Sequence, residues 1–470
     1  MLSIIGYATI AVILALLLTQ RVSAVVALAG VPILAAFIAG NSATEVGTFI
    51  KDGLGGVVSV AAMFVFAIVF FGVLRDAGLF DPLINRIVKL AGNAPVTVTI
   101  ATTTLAMVAH LDGAGAITFL IAIPAMLPIY ERLGMSRLVL TTCVGLGAGV
   151  MNVVPWGGPT ARAASTIGVD ANSIWVPLIP AQIGGMILAL GIAYYLGRRE
   201  HRRLSAEPMS ELVSVTAGAS VNSAKNDSTV ESPAGSEESA NGSGEIKAPV
   251  ADQGHEPDSL TRPKLLWVNA LLVVITLAAL ISAVAPPEMC FIVAAIMALL
   301  INYPGLKAQT GRFDAHAKGA MLMASTLLAA GVLLGVLEGS GMIDAMAHSA
   351  AQIIPSQIMP VFPLIVGILG VPMSLIFGPD AYYFGVLPVL VGVGEQFGIS
   401  SLHVAQASVL GQETVGFPIS PLTGAFYLLV GLAGVDIGRH IRHLIGWAWV
   451  VSIGMLIIAC VTGVIPWVAS

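Results

Sequence analysis

Charge is what this sequence has least of. Only 10% of its 470 residues are Asp, Glu, Lys or Arg, where an ordinary soluble chain carries roughly a quarter. Mean hydropathy is correspondingly high, at +0.92. Cysteine is almost missing as well. Cys143, Cys290 and Cys460 each lie in an apolar run, with no pairing pattern and no zinc spacing, which excludes a disulfide framework and a structural zinc site. There is no H-E-x-x-H, no G-x-S-x-G and no Walker A loop. Zinc hydrolysis, acyl transfer and ATP coupling therefore lack their parts, and an enzyme is not expected. The opening MLSIIGYATIAVILALLL has neither a basic leader nor a small-residue cleavage site, and reads as a first span.

Long apolar runs take up most of the chain. Candidate spans are 4–19, 22–39, 57–74, 138–168 (interrupted), 173–196, 264–284, 290–301, 321–337, 401–432 (interrupted) and 444–467. Most are about long enough to cross a bilayer. Two further apolar stretches, 96–130 and 358–393, are broken near the middle by glycine and an acid, and read as re-entrant hairpins. Between them the composition changes. Residues 201–263 are rich in Ser, Ala, Gly and Glu without apolar periodicity, the pattern of a disordered linker.

The linker separates two halves that repeat each other. GVLRDAGLFD at 72–81 returns as GVLEGSGMID at 335–344, and ERLGMSRL at 131–138 as EQFGISSL at 395–402. Pro124 falls on Pro388 and Gly147 on Gly411, at an offset of 263 or 264 throughout. With five spans and one hairpin per repeat and both termini outside, nineteen of the 21 basic residues become cytoplasmic, as does the linker. Only Lys51 is left outside and Arg162 within the membrane, as the positive-inside rule asks. An odd number of spans inverts the second repeat. The expected fold is an all-α polytopic membrane protein of two inverted-topology repeats, 1–200 and 264–470, with interrupted helices at the midplane, as in secondary transporters.

Substrate in such folds meets broken helices, where backbone groups are free. NVVPWGGPTARAAS at 152–165 packs two prolines and two glycines into five residues, which no helix can continue through. Its restart offers N–H groups to a carboxylate, with Asn152, Gly157, Gly158 and Thr160 around it. The matching segment GQETVGFPISPLTG carries Gln412, Glu413, Ser420 and Thr423. Arg162 can either clamp a carboxylate in two-pronged fashion or reach to the interface. The hairpin turns hold two more acids, Asp112 beside His110 and Gly113, and Asp380 beside Tyr382 and Tyr383. Asp112, Asp380 and Glu413 are candidates for metal or proton coupling. His110 reads equally as a packing histidine or a proton carrier. Three acids against one arginine suit an anion already chelated to a divalent cation, or cotransport with protons, better than a bare polyanion.

The stretches LDGAGAITFLIAIPAMLPIYERLGM, NVVPWGGPTARAAS and GQETVGFPISPLTGAFYLL resemble those of the citrate–divalent metal:proton symporters, the CitMHS family of the ion transporter superfamily. The likeness runs through both halves outside the linker. It implies a bacterial inner-membrane symporter for citrate complexed with Mg, Ca, Zn, Ni or a similar ion, driven by protons, and a homodimer working as an elevator. It implies no permanently bound cofactor and no nucleic-acid partner. The alternatives left by the residues are a metal-independent carrier of another carboxylate or gluconate-like anion, and a cation/proton antiporter.

Overall fold

The computed structural model describes residues 1–19, 21–218, 260–352, 355 and 357–468. These residues are helical almost throughout, with no strand among them. The first set of helices is α1 (Leu2–Leu18), α2 (Ala24–Ile38), α3 (Ala43–Asp76), α4 (Asp81–Ala91), α5 (Pro95–Ala109), α6 (Gly115–Arg132), α7 (Arg137–Met151), α8 (Gly158–Ile167) and α9 (Ala171–Gly218). The second set is α10 (Leu266–Ile281), α11 (Pro287–Asn302), α12 (Leu306–Gly339), α13 (Met342–Ala351), α14 (Phe362–Met373), α15 (Leu387–Gln396), α16 (Ser401–Val409), α17 (Gly424–Ala433) and α18 (Ile437–Val461). Each helix of the first set has a counterpart in the same order in the second. Both third helices have 34 residues, and both helices after the breaks have 10.

Six stretches are long and apolar enough to cross a membrane among the described residues: Ala43–Asp76, Gly115–Arg132, Ala171–Ala206, Pro263–Ile281, Leu306–Gly339 and Ile437–Val461. The third helices are longer than their apolar runs. A 34-residue helix measures about 50 Å, well beyond a hydrocarbon core of about 30 Å. Their charge-free stretches, 53–74 in α3 and 319–337 in α12, match that core, so the charged ends project from it. Arg75 and Asp76 end α3, while Lys307, Arg312 and Lys318 lie at the start of α12.

The two repeats interlock through these helices. α3 packs along α12, α2 lies on α12 and α11 lies on α3. Gly53, Gly331 and Gly335 make the central crossing possible. A Cβ at Gly335 would run into the Phe49 carbonyl, and one at Gly53 into the Gly331 carbonyl. At one end the crossing is pinned by charge. Asp76 accepts from His316 Nε2 at 2.8 Å and from Arg312 Nη1 at 3.2 Å, so this acid joins the repeats rather than facing the interface.

Three features differ from the sequence reading. α4 and α13 lie where no element was expected, because each is short and half polar and so hides from a search for long apolar runs. α4 buries Ile87 and Ala91 while Arg86 and Lys89 are exposed. The helix α9 continues to Gly218, past the boundary at 200. RREHRRLSAE supplies good helix formers, and Glu200 anchors the continuation by accepting from Ser136 N–H at 2.9 Å and from Arg203. At its far end the linker is ordered too: Arg262 N–H donates to the Ala77 carbonyl and Tyr303 to the Leu260 carbonyl. The rest of the linker reading, 219–259, lies outside the described residues.

Overpacking the crossing is the direct test of this architecture. Gly335→Val is expected to destabilise the purified protein by about 1–3 kcal/mol or more, seen as a lowered thermal midpoint. Gly191→Ala, where an added Cβ meets nothing within 4 Å, leaves the midpoint in place. Equal midpoints for both would exclude a tight crossing.

Candidate functional site

Two helical hairpins and two broken helices converge on one cavity of about 750 Å³. The first hairpin is α5 and α6, joined by the short 3-10 turn His110–Asp112 with Gly113 in the left-handed conformation. The second joins α14 to α15 through the one-turn helix Pro379–Ala381 and a π-helical turn, Tyr382–Val386, a distortion that recurs at functional sites. The breaks lie between α7 and α8 and between α16 and α17. Both occur where proline and glycine remove helical hydrogen bonds.

Asn152 joins the two breaks. It closes α7, and its Nδ2 donates to the Glu413 carbonyl at 2.7 Å. That leaves Oδ1 facing His110 Nε2 at 3.2 Å. The other ring nitrogen, Nδ1, lies 2.8 Å from the Thr118 hydroxyl, which itself donates to the Ala114 carbonyl. Phe417 stacks on the same ring at 5.6 Å. Both ring nitrogens of His110 are thus engaged by side chains of the site.

Glu413 is the most unusual residue of the site. It is 2% exposed, and neither carboxylate oxygen has a hydrogen-bond partner among the described residues. Its φ of 52° lies in the left-handed region, which a bulky side chain enters at about 1–3 kcal/mol. The conformation is held from both sides, by Asn152 on its carbonyl and by the Ser374 hydroxyl on its N–H at 2.9 Å. Ser420 lies near the carboxylate but makes no hydrogen bond of ordinary geometry with it.

Arg162 and Asp380 pair across the repeats, Nε to Oδ1 at 2.7 Å. Glycine at 158 makes room for the guanidinium, since a Cβ there would lie 2.7 Å from Arg162 Nη1. Asp112 is also paired. Its Oδ2 meets Arg75 Nη1 at 3.1 Å while Oδ1 accepts from Ala114 N–H at 2.8 Å. The sequence count of three acids against one arginine is thereby corrected to three against two. Arg75 was missed because it sits at the charged end of α3, and its reach to the hairpin tip is a tertiary fact. The repeat alignment holds a signal, since Arg75 falls on Glu338, a charge reversal.

Of the other expected residues, Gly113, Gly158 and Thr423 reach the cavity wall with His110, Asp112, Asn152, Arg162, Asp380 and Glu413. Thr423 is the N-cap residue of α17, although its hydroxyl donates to the Ser420 carbonyl. Six residues, Ser420 among them, are not on the wall. Thr160 is buried in the first turn of α8 and donates to the Val153 carbonyl at 2.7 Å, while Gly157 is the N-cap position. Gln412 accepts from Ser374 at 2.8 Å and donates to the Phe377 carbonyl. Tyr383 donates to the Gln412 carbonyl at 2.8 Å and Tyr382 meets Ser408 at 3.0 Å. These four side chains brace the break rather than line the cavity. Trp156, not singled out in the sequence, is on the wall and donates to the Leu111 carbonyl at 2.8 Å, tying the first break to the first hairpin tip.

Paired hairpins and paired broken helices around one cavity define a membrane transporter of the inverted-repeat class. A solved structure of the Alcanivorax borkumensis YdaH transporter has the same fold, with a TM-score of 0.55, 14% identity and 90% of each chain covered. The sequence matches the citrate transporter family, CitMHS, over residues 1–411. Two curated relatives from Bacillus subtilis (strain 168) are similar along their whole length. One, a "Citrate transporter", is 38% identical over 465 residues, covering 99% of this chain and 100% of the relative. The other, a "Mg(2+)/citrate complex secondary transporter", is 36% identical and covers 99% of each. The chain belongs to the citrate transporter family.

A double-mutant cycle tests the cross-repeat pair. Arg162→Gln and Asp380→Asn are each expected to lower stability, and the double variant less than their sum, with a coupling of about 1–3 kcal/mol. Additive losses in thermal unfolding would exclude a working pair.

Proposed function

We propose that this protein imports citrate already complexed with a divalent metal ion, in symport with protons and by alternating access. The observation that carries the reading is the cavity's composition: Arg162 and three carboxylates, one of them paired with Arg75 behind the wall, converge with a helix N-terminus on a space bordered by apolar side chains. The first turn of α8 and the N-cap region of α17 suit carboxylate groups. Asn152, Arg162 and Thr423 supply polar contacts on the wall, while Gly157, Thr160, Gln412 and Ser420 act by shaping the breaks behind it. Asp112, Asp380 and Glu413 balance the charge, by facing the cation or by taking protons. No three His, Cys, Asp or Glu side chains group around one point among the described residues. A divalent ion carried here would therefore keep citrate as its main source of ligands.

The cavity wall also indicates which way the site faces. Away from the hairpins and breaks it is formed by Leu17, Val22 and Ala24 around Arg21, by Phe64 and Ile68 of α3, and by Gly319, Leu322 and Met323 of α12 beside Lys318. Arg75 holds the first hairpin tip at that same basic end. By the positive-inside rule this end is cytoplasmic, so the conformation is inward-facing, with both chain termini and the second hairpin's opening outside. We assign the protein to the bacterial inner (plasma) membrane as a homodimer. In this reading the hairpins and broken helices slide as an elevator against α1–α3 and α10–α12, and both hairpins are re-entrant. A metal-independent carboxylate carrier is the second reading, and the relative named for citrate alone is what favours it.

Labelled citrate uptake into proteoliposomes under an inward proton gradient, with Mg²⁺, Ca²⁺, Ni²⁺ or Zn²⁺ added singly, decides between them. The proposal expects uptake that requires a metal and collapses with a protonophore. Metal-independent uptake would select the second reading. Asp380→Asn and Glu413→Gln are each expected to reduce proton-driven uptake at least about tenfold; wild-type rates in both would remove these acids from the mechanism.

A further inference from the structure

We infer that Glu413 carries the coupling proton, and that once deprotonated it competes with the bound anion for Arg162. This assignment rests on the proton-coupled reading above and deepens it, by separating the proton carrier from the other two cavity acids.

Each of those acids already has a cation. Asp112 has Arg75 at 3.1 Å and Asp380 has Arg162 at 2.7 Å. Glu413 has none, and both of its oxygens are buried without a hydrogen-bond partner. An ionised carboxylate left this way inside an apolar bundle is strongly disfavoured. Accepting a proton removes the charge without moving any other group. The backbone around it is arranged to tolerate this. Its main chain is held in the left-handed region by Asn152 and Ser374, which leave the carboxyl group without a hydrogen bond.

The groups around Glu413 give the proton a consequence. Arg162 on α8 and Asp380 on the second hairpin share the cavity wall with Glu413. Tyr383 on the π-helical turn donates to the neighbouring Gln412 carbonyl, and His110 reaches Glu413 only through Asn152. Arg162 is therefore the one cation beside Glu413 in the cavity among the described residues. With Glu413 protonated, the guanidinium is free to serve Asp380 or a substrate carboxylate. When the proton leaves toward the cytoplasm, the new carboxylate draws Arg162 to itself and the substrate loses that contact. The proton and the anion thus bind together and leave together, which is symport. The step is a single proton transfer between water and the Glu413 carboxyl group, with no other bond changed.

Two measurements on the full-length protein test this. In proteoliposomes with Mg²⁺ and labelled citrate, Glu413→Gln mimics the protonated form. Its ratio of proton-driven net uptake to citrate counterflow is expected to fall about tenfold or more, with counterflow persisting. Glu413→Asp keeps a titratable group, so it should retain proton-driven uptake with a displaced pH profile. A wild-type ratio in Glu413→Gln, a wild-type pH profile in Glu413→Asp, or loss of counterflow in well-folded Glu413→Gln would each overturn the assignment. The second measurement needs no substrate. Infrared difference spectra of the purified protein across a pH titration are expected to show a protonated-carboxyl C=O band that is missing from Glu413→Gln. Superimposable spectra would overturn the assignment even if citrate transport stands. Absence of citrate counterflow in the wild type with the band present would remove the substrate reading alone.

Discussion

The site depends on one requirement: where a helix is interrupted inside an apolar bundle, its freed backbone groups must find partners within the protein. Here the two interruptions partner each other. Asn152 closes the first and donates to the Glu413 carbonyl of the second, 261 residues away. Ser374 takes the Glu413 N–H, Thr160 takes the Val153 carbonyl and Tyr383 takes the Gln412 carbonyl. His440 completes the set, with Nε2 on the Pro418 carbonyl and Nδ1 on Thr141. The polar side chains are thus largely consumed in making the breaks possible. Few remain to meet a ligand, and most of those few are charged.

That division explains which residues could be read from the sequence. The breaks themselves were legible, because proline and glycine at 155–159 and 416–424 act locally, whatever surrounds them. The hairpin acids were legible because a charge in the middle of an apolar stretch demands a reason. Direction was not legible. Thr160, Gln412, Tyr382 and Tyr383 all lie within reach of the cavity along the chain, yet tertiary packing turns each of them toward a backbone or hydroxyl partner. Arg75 shows the reverse case. Its place at a helix end suggested a residue in the aqueous interface, and only the folded chain brings it to Asp112.

The architecture of repeats was legible for a different reason. An offset of 263–264 held over both halves marks equivalent positions without any structural knowledge, and the helices match one for one. What the alignment could not supply was the length of the third helices, whose charged ends extend beyond the apolar runs that mark a span. Nor could composition mark the end of α9, since helix formers continue past the membrane before the Ser- and Gly-rich stretch begins.

Symmetry in the backbone nevertheless coexists with asymmetry in the chemistry. Both hairpin tips carry an aspartate bound to an arginine, but the arginines belong to different bodies. Arg162 lies on α8, part of the same cluster of hairpins and broken helices as its partner Asp380. Arg75 lies on α3, the helix that crosses α12 through Gly53 and Gly335. If the cluster slides along that crossing pair, the Arg162–Asp380 bond travels with it, whereas the Arg75–Asp112 bond has to break. Arg162 then keeps Asp380, Glu413 and the substrate site within one moving unit, while the Arg75–Asp112 pair marks one end of the stroke. The repeat equivalent of Arg75 is Glu338, which cannot make the corresponding bond with an aspartate at the opposite end.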